Sequence, residues 1–115
     1  MSRPTVQSVL RQAIALLEGA PYAWCTHALA KNEKGKAVAV HSEHAVAWSA
    51  TGAIYKVARG TGLAPAAIEA VQDVLGCQLQ NYNDTPNRLR PHVITAMRKA
   101  IKSAEKSASA ADVAA

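Results

Sequence analysis

Apolar residues at Val6, Val9, Leu10, Ala13, Ile14 and Leu17 step by threes and fours, the spacing that lines one face of an α-helix. Pro4 suits its first turn and Gly19 its stop. The period changes at Tyr22. From there to Ala30, Tyr22, Trp24 and Thr26 alternate with smaller residues, the charged run of residues 31–36 makes a turn, and Ala37–Val40 follows as a short apolar stretch. That pattern predicts a β-hairpin, which must lay one face on the helices because two strands alone are marginal in water. Ser42 is a good N-cap with Glu43 behind it, so a second helix is expected there. Its apolar positions Ala45, Val46, Trp48, Ala50, Ala53, Ile54, Tyr55 and Val57 occupy nearly the whole circumference, which marks it as central. Gly52 inside it costs about 1 kcal/mol relative to Ala, so it should mark a point where another backbone comes close.

Pro65 opens a third amphipathic stripe of Ala67, Ile68, Val71, Val74 and Leu75, closed by Gly76. Residues 77–90 then lose all periodicity and read as a polar loop centred on Asn81-Tyr82-Asn83-Asp84-Thr85-Pro86-Asn87. Pro91 starts a fourth helix with a core stripe of Val93, Ile94, Met97, Ala100, Ile101 and Ala104. Residues 107–115 have no apolar face and are expected to fray. The predicted fold is therefore α+β: about four helices, mostly α, with a small β-hairpin packed on one side. One globular domain over residues 1–106 and a tail of 107–115 follow.

Composition fits one core. The chain has 115 residues, half of them hydrophobic and 18% charged. There are 25 Ala and no Phe, which favours helices packed closely through small side chains. The large anchors are then expected to be Trp24, Trp48, Tyr22, Tyr55 and Tyr82 beside the aliphatic set. No stretch reaches the roughly 18 apolar residues of a membrane span, and no apolar leader opens the chain, so a cytoplasmic protein is expected. Cys25 and Cys77 are too few for a disulfide scaffold and are read as reduced thiols.

Trp24, the run Ala45-Val46-Ala47-Trp48-Ser49-Ala50-Thr51-Gly52-Ala53 and Tyr82-Asn83-Asp84 together resemble a family of small bacterial and phage proteins of unassigned function. That family carries an Ala-x-x-Trp-Cys-x-x-Gly-Ala helix and a Trp-Asn-Asp motif. Ser49 stands here where Cys is usual, and Tyr82 where Trp is usual. The resemblance runs over about residues 5–104 and implies a shared single-domain fold; it implies no activity.

Three groups of residues are candidates for chemistry. Asn81, Asn83 and Asp84 place a carboxylate among amides, which could serve as a base or an oxygen-ligated cation site, but the stronger expectation is the capping of the turn into the last helix. His41 and His44 are three apart, yet the remaining His27, His92, Cys25 and Cys77 show no tight pairing that would complete a zinc set. No metal, cofactor or catalytic residue is expected. Charge alone has direction: the net charge is +5, and Arg88, Arg90, Arg98, Lys99, Lys102 and Lys106 face only Glu105 over residues 86–106. A cationic stripe of that kind can neutralise phosphates or be a solvated face. The leading expectation is a non-enzymatic binding or interaction module with an unidentified partner, nucleic acid or protein. The alternatives are a nucleic-acid-binding protein using those six cations and a small enzyme built around Asp84.

Overall fold

A computed structural model describes the backbone of residues 4–114 and the side chains of residues 4–105. The Lys106 side chain and the tail expected to fray lie outside the described side chains. The elements run α1 (Val6–Glu18), β1 (Ala30–Lys31), β2 (Ala47–Trp48), α2 (Ala50–Val57), α3 (Ala64–Leu75), α4 (Leu79–Asn83) and α5 (Arg90–Ala114). The fold is α+β, with a little over half of the chain helical.

α1 starts in a capping box. Thr5 Oγ1 accepts from the Ser8 N–H at 3.0 Å and Ser8 Oγ accepts from the Thr5 N–H at 2.9 Å, so two orphan donors are satisfied reciprocally. Val9, Leu10, Ala13, Ile14 and Leu17 are its buried face, as the spacing predicts. α1 packs against α2, α3 and α5. α5 contributes Val93, Ile94, Met97, Ala100 and Ile101 to the same core, and α3 contributes Ala67 and Val71. α3 ends where Gly76 adopts φ 73°, the left-handed C-cap that Gly allows cheaply.

The hairpin takes a different form from the one expected. β1 pairs antiparallel with β2, Ala30 opposite Trp48 and Lys31 opposite Ala47. On its other side β1 makes one bridge to Ala37, and the Val38 N–H donates to the Ala30 carbonyl at 3.0 Å. Trp24 bridges Trp48 in the parallel sense, with Trp48 N–H to Ala23 O at 2.8 Å and Cys25 N–H to Trp48 O at 3.0 Å. The expected turn is present: Asn32 Oδ1 accepts from the Lys34 and Lys36 N–H groups, and Gly35 takes φ 76°. What fails is the run from Tyr22 to Ala30 as one strand, because His27 sits at φ 63° and turns the chain back.

Trp48 accordingly lies in a strand and not in the central helix. The Ser42 hydroxyl accepts from the His44 N–H at 3.1 Å and closes only a turn. Backbone donors of Val46 and Trp48 go to Lys31 O and Ala23 O, so sheet pairing wins over the helix propensity of this Ala-rich stretch. Ser49 is the cap of α2, its Oγ accepting from the Gly52 N–H at 3.0 Å. The close approach expected at Gly52 is real: a Cβ there would lie 1.9 Å from the Leu29 carbonyl oxygen. α2 is not buried all round, since Tyr55 is 41% exposed, and Tyr22 at 66% is no core anchor either. Residues 79–83, expected to be loop, form α4, tied to α3 by the Leu79 N–H on Gln72 Oε1 at 2.9 Å.

Candidate functional site

The three motifs meet at Asn83. Its side chain is fully buried at the end of α4, where a polar amide survives only if its hydrogen bonds are made. They are all made. Asn83 Oδ1 accepts from Trp24 Nε1 at 2.7 Å and from the Ala50 N–H at 3.0 Å, the first donor of α2. Its Nδ2 donates to the Cys25 carbonyl at 3.0 Å and to Asp84 Oδ1 at 2.9 Å. One side chain therefore fastens the segment around Trp24 to the start of α2. Beside it Ser49, also fully buried, donates from Oγ to Gln80 Oε1 at 2.9 Å.

Asp84 continues the network outward. Its carboxylate accepts from the His27 N–H at 2.8 Å and from Gln80 Nε2 at 3.1 and 3.2 Å, besides Asn83. Burial would push its pKa up, but the His27 N–H, the Asn83 and Gln80 amides and the nearby His27 side chain outweigh that and hold it below the ordinary carboxylate value. The His27 bond also explains the left-handed residue: the carboxylate holds that N–H where the chain reverses. Asn81 stays outside the network, exposed, with its Nδ2 on Gln78 Oε1.

This network underlies a pocket of about 570 Å³ between Tyr22, Trp24, Cys25, Lys31, Asn32 and Val46, with Glu33, Gly35 and Ala47 completing the lining. Trp24 enters it with its single polar atom already spent on Asn83. Cys25 is buried and its Sγ points at Ala28 O, 3.8 Å away. Burial pushes the Cys25 thiol up, with Asp84 adding to the rise and Lys31 opposing it, so it stays a thiol at neutral pH. Sequence spacing did not single out Lys31, Asn32 and Tyr22 as site residues, because the pocket is assembled by the 30–31 to 47–48 pairing.

The remaining candidates are scattered. His41 and His44 are exposed in the turn ahead of β2, with His44 Nε2 3.5 Å from Glu43 Oε1, and no group of three or more metal-ligating side chains occurs among the described residues. All three arginines of the candidate basic set are engaged. Arg88 donates to Tyr82 O at 3.1 Å and lies 3.8 Å over the Tyr82 ring. Arg90 donates to Leu17 O and Ala20 O at 3.1 and 2.8 Å, closing the C-terminal end of α1. Arg98 reaches Glu18 at 3.4 Å. Lys99 and Lys102 are exposed without an ion pair among the described residues. Arg11, which pairs with Glu105, joins Arg98 and Lys102 around a shallower groove of about 350 Å³ floored by Ile14 and Ile101.

The small α+β fold thus keeps its buried polar side chains, Asn83 and Ser49, hydrogen-bonded inside the protein, with the Asn83 partner Trp24 lining the pocket. The pattern of DUF6197, a family of unknown function, matches residues 1–103, and the chain belongs to that family. No curated protein and no solved structure matches it. Among the described residues, no helix is long and apolar enough to cross a membrane.

Proposed function

We propose that this chain is a non-enzymatic binding module and that the pocket beside Trp24 is its ligand site. One observation carries the reading. Trp24 is pinned by a 2.7 Å bond from its only polar atom to the buried Asn83, which leaves its ring to offer apolar and π surface to the pocket it lines. A mainly apolar, aromatic wall with a few polar groups at the rim is the usual make-up of a small-ligand site. Tyr22, 66% exposed in the same pocket, has no packing duty that would explain its size there. The engagement of Asp84 by three neighbours argues against its use as a base.

A fragment screen followed by amide NMR tests this. Shifts are expected to gather at Tyr22–Cys25, Lys31–Asn32 and Val46–Ala47, and Tyr22→Ala should abolish them without unfolding the protein. Fragments that bind only elsewhere would refute it. Nucleic-acid binding is the second reading, favoured by Arg98 and Lys102 sharing a groove with Arg11; it must work with Arg88 and Arg90 already committed inside the protein. A bacterial, cytoplasmic setting suits either reading.

A further inference from the structure

Resting on the pocket reading above, the polar groups of the same cavity point to its ligand class: we infer that it takes a zwitterionic aromatic molecule, of which a free aromatic amino acid is the simplest member. Asn32 spends its Oδ1 on the Lys34 and Lys36 N–H groups, while its Nδ2 has no partner among the described residues. Lys31, half-buried on β1, makes no ion pair there either, nor does Glu33. These three line one pocket with Tyr22 and Trp24. Two donors on consecutive residues of the lining, one of them an ammonium, fit a carboxylate. Glu33, which with Asn32 also lines an adjoining cavity on the His44 side, fits an ammonium, and the two aromatic side chains of the lining fit a ring. A purely anionic ring would meet Glu33, and a purely cationic one would meet Lys31; a molecule carrying both charges meets neither unopposed.

The cavity, at about 570 Å³, is ample for such a ligand. The chain contains no Phe, so phenylalanine ring signals belong to the ligand alone. The test is a titration of the intact protein, followed by amide shifts, with L-phenylalanine, with phenethylamine, which lacks the carboxylate, and with 3-phenylpropionate, which lacks the ammonium. Phenylalanine should shift residues 22–25, 31–32 and 46–47 and bind each time roughly threefold or more tightly than either analogue, the upper range for a partly exposed ion pair. Lys31→Met should lower phenylalanine to the level of phenethylamine and leave phenethylamine no weaker. Glu33→Gln should lower it to the level of 3-phenylpropionate. If either analogue binds as tightly as phenylalanine at these residues, the zwitterion assignment falls and the pocket reading stands. If all three leave these residues unmoved up to 10 mM, on the order of the weakest affinities small fragments show, both fall.

Discussion

Removing the Asn83 side chain is the sharpest perturbation the structure offers, because four hydrogen bonds end on one buried amide. In Asn83→Ala three groups lose this partner: the half-buried Trp24 Nε1–H and the buried Ala50 N–H and Cys25 carbonyl. Each unsatisfied buried group costs about 1–3 kcal/mol. The vacated space is polar and amide-sized, so water entering it should recover part of that. A net loss of about 3–5 kcal/mol is expected, a large share of the roughly 5–15 kcal/mol that holds a domain together. Urea denaturation followed by tryptophan fluorescence measures it, provided the slope with urea stays that of the wild type. Asn83→Asp separates the network from simple volume. It keeps the acceptors for Trp24 and Ala50 but sets a carboxylate against Asp84 and the Cys25 carbonyl. It should be at least as damaging as Ala at neutral pH. The penalty should fade as the pH falls, because burial beside Asp84 raises the new carboxyl's pKa and protonation restores a donor. Trp24→Phe removes the donor and the pyrrole half of the indole but leaves an aromatic ring, and should cost less than Asn83→Ala, about 1–2 kcal/mol. An Asn83→Ala protein within about half a kcal/mol of wild type, the scale of ordinary surface changes, would refute the account of Asn83 as the tie between Trp24 and α2.

Gly52→Ala should cost more than about 3 kcal/mol in the same assay although Ala favours helix, since its Cβ meets the Leu29 backbone at 1.9 Å; a neutral or stabilising result would mean that the two backbones separate easily. Asp84 has its pKa lowered in the folded state, so its contribution is present above the unfolded carboxylate value and is lost as the pH falls through the folded one. Stability against pH, measured by urea midpoints, should therefore drop from about pH 4 downward in the wild type, and less steeply in Asp84→Asn. Fluorescence anisotropy with duplex DNA should show only weak association at low salt that vanishes near 0.15 M, where the screening length is about 8 Å. Binding that persists there, and weakens in Lys102→Ala, would promote the basic helix over the pocket.

The helical half of the fold was legible because each long helix carries its own period. The stripes on α1, α3 and α5 are the buried faces observed, and Gly76 stops α3 as its position suggests. The stretch from Tyr22 to Ser49 was legible only at its turn over residues 31–36, and the reason is specific. Ala45-Val46-Ala47-Trp48 has good helix formers behind a good cap at Ser42, and nothing local says that its N–H groups will be taken by Lys31 and Ala23. That pairing is a long-range fact, and so is the left-handed turn at His27, which depends on a carboxylate 57 residues further on. Gly52, just beyond this region, has a cost that could be read locally, and it pointed to a close backbone approach, which the Leu29 carbonyl supplies.

The polar site shows the same division from the other side. Asn83 and Asp84 stood out as a turn-forming pair, and turn chemistry made capping the stronger expectation; capping is part of what Asn83 does, since its Oδ1 holds the first N–H of α2. What the turn reading misses is that the capped helix lies far back in the chain and that the same amide holds Trp24. Tyr82 and Arg88 carry the consequence outward. Tyr82 replaces the Trp of the resembled motif and is covered by the Arg88 guanidinium at 3.8 Å, while Arg88 Nε bonds the Tyr82 carbonyl. That cation is thereby held by its own loop. A basic count in this part of the chain therefore overstates the charge free to meet a phosphate, whereas Lys31, outside that part, is a cation that lines the pocket beside Trp24. Charge tallied along a sequence cannot tell these two apart; only the partners that the fold supplies can.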